Sequence, residues 1–520
     1  MYSKIIKNGT ILDGTGAKPY VADIAIEEDK IVLVGNVKKG KAQEIIDASN
    51  KWVAPGFIDI QNHSDVYWTI FDSPRLDSLL MQGITTALIG NCGASLAPLL
   101  SRDALLAVQK WHDLNGVNFN WLSFGEYLDE LAKRNFGINI ASMVGYSTLR
   151  RGLIQDEIRA LSADEVKILE KALQESLSAG AFGLSSGLSY AHEAIISENE
   201  LMQLAGIVKK NNALLSVHLR SEGSELSESV AEALDLAAKT GVNLKISHFK
   251  ARNRSNWNLL PHAVEMIETA YQKNVSVHFD VYPYDFIWQV LYTYLPKWSY
   301  EGGRQVMLQH LKDPQQRAKI KAYMASRDVD YGSLLIAGTS AALNITGKTI
   351  GEIAERQGKD AQEMLLNIIE NGGSEILVFE KNLDPKQVQQ LLLHPLSMVA
   401  TDGAGFSYTA KGNLVHARCF GSMPKFLGMV LQHDLMPIEQ AIEKMTSIPA
   451  AKAGIKGRGT IAVDNYADLV IFDQAIDSKA GFANPYQYPK GIYSVLVNGR
   501  TVVNEGKVSG GLAGRVLRKS

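Results

Sequence analysis

The sequence predicts an α/β protein. The expected form is a (β/α)8 TIM barrel with a small β-sandwich built from both termini and an insertion between the seventh and eighth barrel strands. Three observations predict it. Apolar, β-branched runs alternate with helical patterns through the middle of the 520-residue chain. Both ends are rich in short strands instead. More than a hundred residues separate Tyr282 from Ser397, where one crossover helix would suffice. A doubly wound open sheet is the alternative architecture.

The N-terminal segment, residues 1–54, reads as Lys4–Asn8, Thr10–Asp13, Asp23–Glu27, Lys30–Gly35 and Glu44–Asp47, broken by Gly-rich or charged turns. The C-terminal segment, residues 456–520, repeats this character with Ala467–Phe472, Ile492–Asn498 and Arg500–Asn504. Asn498-Gly499 between two β-branched runs signals a two-residue hairpin. The two ends are expected to meet in space. Between them, residues 55–455 carry eight runs: Gly56–Gln61, Ile84–Gly90, Ile138–Tyr146, Ala181–Ser185, Ala213–Leu219, Asn243–His248, Val275–Tyr282 and Ser397–Asp402. Continuous rather than alternating apolar strands indicate a sheet buried on both faces, hence parallel. Ser162-Ala163-Asp164-Glu165 and Ser197-Glu198-Asn199-Glu200 open helices, and Gly241 closes one. The insertion, about residues 285–395, starts with Tyr284, Phe286, Trp288, Tyr292, Tyr294, Trp298 and Tyr300. Most of these rings are expected to pack a core, and the unit to lie over the barrel mouth as a lid.

Composition narrows the function. Lys and Arg total 53 against 55 Asp and Glu, so the basic excess of a nucleic-acid binder is missing. Two cysteines form no disulfide framework and suit a reducing compartment. Neither a signal peptide nor an uninterrupted membrane span is read, and a cytoplasmic location is expected. A small-molecule substrate is the expected partner.

The chemistry is written where the strands stop. His63, Cys92, His218, His248 and Asp402 all fall at or just past the ends of predicted strands. A barrel brings those carboxyl ends to one face, where such folds keep their active sites. Any one of these residues alone is more often structural; their coincidence at five of eight strands is what argues for a site. Thiolate and imidazole both suit Zn²⁺, whose catalytic sites use about three protein ligands and leave a position for water. Cys92, His218 and His248 would be the ligands and Asp402 the base. His63 would be a second-metal ligand or a group that polarises a substrate carbonyl. His112, His192, His262, His278, His310, His394 and His433 read as structural or surface residues, and Cys419 as a loop residue without a ligand role.

These segments resemble the amidohydrolase superfamily. Ala54-Pro55-Gly56-Phe57-Ile58-Asp59 followed by a His-bearing loop is similar to its entry motif. Gly90-Asn91-Cys92-Gly93, Val217-His218-Leu219-Arg220-Ser221-Glu222-Gly223, Ile246-Ser247-His248-Phe249-Lys250-Ala251 and Thr401-Asp402-Gly403 resemble the N-acyl-D-amino-acid deacylase (D-aminoacylase) branch. Phe182–Leu188, His416–Gly421, Lys444–Ala450 and Ala467–Asp473 fit it as well. The resemblance implies zinc on the residues at Cys92, His218 and His248, an acid/base Asp at 402, and hydrolysis of N-acyl-D-amino acids. It also departs from the family. Gln61 stands where a first His is usual, so one tightly bound zinc is expected and the second position is put in doubt. Tyr146 stands where a His is common. Lys250, then Tyr282 and Arg418, are the expected holders of the substrate carboxylate. A cyclic-amide hydrolase, a deaminase of the same barrel, and a catalytically inactive binding or scaffold homologue are the competing functions.

Overall fold

The structure is a computed structural model. It describes the chain except residues 38–40, 106–118, 156, 191, 339–343, 374–375 and 408–412. His112 lies outside the described residues.

The eight runs all form strands. They are Phe57–Asp59, Ile84–Ile89, Asn139–Ser142 continued by Val144–Gly145, Gly183–Gly187, Leu214–His218, Asn243–Ile246, Val277–Val281 and Ser397–Val399. Every pairing among them is parallel. The first three strands pair in order, and the third (through Val144–Gly145) to eighth form a second parallel set. The ring is completed between the ends of the eighth and first strands. There Asn62 bridges Gly403 in parallel, and the His63 amide donates to the Gly403 carbonyl at 2.7 Å. The doubly wound alternative, which leaves two free sheet edges, is therefore excluded.

The crossover helices follow their sequence signals. Ser162 caps the helix Ala163–Ser178 through a reciprocal capping box with Glu165. Ser197 caps Glu198–Lys210, and Gly241 ends Leu226–Thr240 in the left-handed conformation that a Cβ penalises.

Both termini enter one nine-stranded sheet. The strand Trp52–Pro55 bridges them, pairing with Tyr2–Ile11 on one side and Leu469–Asp477 on the other. The two halves share an apolar cluster that includes Ile6, Ile24, Val53, Leu469, Ile471 and Leu496. The expected pair Lys4–Asn8 and Thr10–Asp13 is a single strand, Tyr2–Ile11. Gly9 marks a register shift within it rather than a turn. Asn498 and Gly499 both have positive φ, 47° and 75°, as the predicted hairpin demands.

The insertion has its own core around Leu291, Ile320, Leu334, Leu365 and Val378. A three-stranded antiparallel sheet (Phe286–Val290, Leu335–Gly338, Leu377–Lys381) anchors it. The helix Pro385–Leu393 follows this sheet and packs on the seventh and eighth barrel strands. It is thus the ordinary crossover helix of the barrel, although it falls inside the expected insertion range. Among the described residues no helix is long and apolar enough to cross a membrane.

Candidate metal centre and active site

The second, fifth, sixth and eighth strands end on one side of the barrel, and their terminal side chains converge. One donor atom each from Cys92, His218 and His248 lies within 4.8 Å of the others, and the same holds for His63, Cys92 and Asp402. The Cys92 sulfur is 3.4 Å from His248 Nε2 and 4.0 Å from His63 Nε2. The His218 and His248 rings meet edge to face, with centroids 4.4 Å apart.

Local backbone geometry aims these groups. Cys92, His248 and Asp402 have φ of 53°, 37° and 48°, a region that L-residues avoid at about 1–3 kcal/mol each. Each turns sharply out of its strand so that its side chain points across the rim. Gly93 beside Cys92 also has positive φ, and a Cβ there would collide with the Glu193 carboxylate. The Gly-Asn-Cys-Gly spacing is thus a turn that presents sulfur.

Which ring nitrogen faces the centre is decided by the outer contacts. His248 Nδ1 is engaged by Lys250 Nζ and Glu222 Oε1, each at 2.9 Å, so Nε2 faces Cys92. His218 Nε2 meets Ser189 Oγ at 2.9 Å. Its buried Nδ1 has no hydrogen-bond partner among the described residues. An orphaned imidazole nitrogen beside a thiol and a second imidazole is what a metal ligand looks like. The residues therefore fit a tetrahedral zinc with sulfur and nitrogen donors.

The electrostatics also suit a cation. Burial opposes ionisation of Cys92, but the His248 charge and the surrounding imidazoles hold its pKa well below the usual thiol range. Burial likewise opposes charge on Asp402, yet Arg418 and His248 keep its carboxyl far below the ordinary carboxylate value. Burial disfavours the charged form of His248 too, and Lys250 opposes it as well; Asp402, Glu222 and Cys92 outweigh both and raise it to about 9. His63, held by Asp402 and Cys92 against its own burial, rises to about 10. For His218, burial and the His248 charge lower the pKa. Thiolate, Asp402 and Glu222 are balanced by Arg418, Lys250 and the charged imidazoles of His63 and His248, part of which a cation on Cys92, His218 and His248 would replace.

The other expected residues surround this cluster. Asp402 is fixed by both oxygens, to His63 Nε2 at 3.0 Å and to Arg418 Nη1 at 2.7 Å. Lys250 is engaged by Glu222 at 2.5 Å as well as by His248. Tyr282 lies under Arg418, whose guanidinium is 4.7 Å from the ring centroid. Its buried hydroxyl has no hydrogen-bond partner among the described residues. Tyr146 opens the helix Tyr146–Ile154 and donates its hydroxyl to Glu200, within a buried network with Arg150. Cys419 is not in a loop. It is buried in the helix Arg418–His433, where burial raises its pKa to about 12, so it stays a thiol.

The cluster floors a cavity of about 580 Å³ whose outer wall comes from the insertion, including Trp288, Gln289, Tyr294, Trp298, Tyr323 and Tyr331. Sequence reasoning missed Glu222, which orients His248, and Arg252, which lines the cavity. Both sit four residues past a candidate ligand, and that spacing was the available signal. Arg252 Nη2 donates to Gln289 at 2.7 Å and lies 3.8 Å from Glu380 Oε2, while its Nε and the Trp288 indole N–H are buried without a hydrogen-bond partner among the described residues.

A closed barrel that gathers soft and borderline donors around a cavity, with an ionised carboxylate beside them, defines the metal-dependent hydrolase class. Comparison with known proteins agrees with that class. The amidohydrolase family model matches residues 44–503. The chain is 28% identical to the D-aminoacylase of Alcaligenes xylosoxydans xylosoxydans, over 100% of this chain and 98% of that one. It is 30% identical to the N-acyl-D-glutamate deacylase of the same organism, over 99% and 96%. The crystal structure of N-acyl-D-glutamate deacylase from Bordetella bronchiseptica, complexed with zinc and a phosphonate inhibitor, superposes with a TM-score of 0.83 at 28% identity, covering 99% of both chains. The chain belongs to the amidohydrolase family.

Proposed function

We propose that this chain is a zinc-dependent hydrolase that cleaves N-acyl-D-amino acids to a carboxylate and a free D-amino acid. The observation that carries the reading is the convergence of Cys92, His218 and His248 on one point, with Asp402 beside it. The substrate class comes from the full-length relatives, two of them named for this chemistry.

Cys92 Sγ, His218 Nδ1 and His248 Nε2 would hold the zinc. A bound zinc would supply a water acidified from its bulk value to a pKa of roughly 7, and Lewis acidity for an amide carbonyl. The chain's own groups do the rest. Asp402 is held ionised by Arg418 and His63, so it is a weak base suited to an acidified proton donor. It takes the proton of the attacking water and delivers it to the amide nitrogen as the C–N bond breaks. Each such transfer is worth about 10²–10⁴-fold. His63, paired with the opposite Asp402 oxygen from Arg418, would set its positive charge beside the acyl oxygen as it becomes an oxyanion. Glu222, itself paired with Lys250, accepts from His248 Nδ1–H, the kind of support that holds a ligand to the tautomer whose Nε2 is free to bind.

The amino-acid carboxylate needs donors. Lys250 is committed to Glu222 and Arg418 to Asp402. The Tyr282 hydroxyl and the Arg252 Nε, both without a hydrogen-bond partner among the described residues, offer further donors on the cavity wall, although Arg252 Nη2 is held by Gln289 and lies 3.8 Å from Glu380. The test is a screen of paired N-acetyl-D- and N-acetyl-L-amino acids with the zinc-loaded protein, reading released amine. Release from D-substrates alone supports the reading. Activity confined to cyclic amides, or zinc binding without any hydrolysis, overturns it.

A further inference from the structure

We propose that Lys245 is a resident cation that stands in for a second metal ion and acts on the Cys92 thiolate through Gln61. The inference rests on reading Cys92, His218 and His248 as the zinc ligands. It makes Lys245 a positioning residue, since its ammonium touches no reacting atom.

Lys245 lies on the sixth barrel strand with a fully buried side chain. Its ammonium donates to Asp280 Oδ2 at 2.9 Å, to Asn91 Oδ1 and the Ile60 carbonyl at 3.3 Å each, and to Gln61 Oε1. These acceptors come from the first, second and seventh strand regions, so the charge sits inside the barrel, close beneath the rim. Removing two charges from water is expensive, and a buried ion pair is weak evidence for stability. Its placement is what needs explaining.

The Gln61 amide shows what the placement does. An ammonium offers only donors, so the Gln61 oxygen must face Lys245. That leaves the amide nitrogen pointing the other way, where it donates to Cys92 Sγ at 3.1 Å. A neutral side chain at 61 thus relays a positive charge to the sulfur. The partner carboxylate reaches a second ligand. Asp280 Oδ1 accepts the backbone N–H of His248 at 2.9 Å, pinning a residue whose φ is 37°. One buried pair therefore steadies two of the three zinc ligands, and outer-sphere hydrogen bonds of this kind tune metal and ligand together.

The same arrangement opposes a second ion. Glutamine replaces the imidazole that would bind it, and its oxygen is consumed by Lys245. The other donors nearby, His63 and Asp402, are bonded to one another at 3.0 Å, and Asp402 also to Arg418 at 2.7 Å. A divalent cation at that place would face the Lys245 charge across one amide.

Metal analysis and cobalt spectroscopy test this. Wild type dialysed against a hundred-fold excess of zinc should keep one ion per chain. Gln61→His alone should also keep one, because Lys245 remains. Gln61→His with Lys245→Met and Asp280→Asn, which removes both buried charges and keeps an acceptor for the His248 N–H, should take up two. In the cobalt-substituted protein, Gln61→Leu should shift the thiolate-to-cobalt band to lower energy, since the sulfur loses a donor. A second ion in wild type or in the single His variant, a triple variant that stays at one, or an unmoved band in Gln61→Leu overturns the proposal. Should the triple variant not fold, wild type and the two Gln61 variants decide. Wild type that binds no zinc at all refutes the zinc-site reading itself, a distinct outcome.

Discussion

Cys92 and Asp402 lie within one small cluster, and the ligand and acid/base duties proposed for them should separate on substitution. Cys92→Ala should lose both zinc and turnover. Asp402→Asn should retain one zinc per chain while kcat falls by about 10²–10⁴-fold. Metal content and single-turnover rate measured on the same preparations check this. An alanine variant with full zinc and full rate would refute the ligand assignment. Cys92, His218, His248 and Asp402 could be read from the chain because each closes an apolar run, and a barrel converts such endings into neighbours. Glu222, Arg252 and Lys245 could not be read so directly. Their roles come from contacts across strands, such as Lys245 with Asp280 and Glu222 with His248. Local sequence carries no mark of which acid will face which base.

The element scale is where turn chemistry decides. Gly499 has φ 75°, and a Cβ there would strike the Glu28 carbonyl of the neighbouring hairpin. Gly499→Val should therefore destabilise the terminal sheet by about 2 kcal/mol or more, combining left-handed strain with a backbone clash. The denaturation midpoint followed by tryptophan fluorescence measures it, and an unchanged midpoint would show that the hairpin yields freely. That turn was legible because Asn-Gly requires two positive φ values. Gly9 misled in the opposite direction, since glycine inside a strand also permits a shift of register. The insertion was legible as excess length. Its inner limit was not, because the helix Pro385–Leu393 carries the same amphipathic pattern whether it belongs to the insertion or to the barrel.

For the whole molecule, closure of the barrel was beyond local reading, because it depends on the meeting of Asn62 with Gly403 across the chain. Closure has an electrostatic counterpart away from the rim. Lys452, buried on the helix Ser447–Ala453, reaches Ser276 just before the seventh strand, and burial lowers its pKa to about 7. Lys444 is lowered to about 7 as well, again by burial. These folded values lie below the unfolded lysine value of about 10.4, so between them the unfolded chain binds more protons. Stability from this source is therefore complete above about pH 10.4 and declines as pH falls towards 7. Lys452→Met should flatten the rise of Tm between pH 7 and 10, as measured by calorimetry. A Tm profile identical to wild type would rule the lysine out as its source.

The sheet assembled from both termini sets a timetable for birth of the protein. Trp52–Pro55 leaves the ribosome early, yet its partner Leu469–Asp477 follows roughly 400 residues later. At about 5–20 residues per second, that is a wait on the order of 20–80 s. Throughout it the edge of Trp52–Pro55 that will receive Leu469–Asp477 has no mate, a template for pairing with other nascent chains. Truncation near the 3′ end of the message should thus yield aggregates rather than a smaller soluble barrel, although every barrel strand would already have been made.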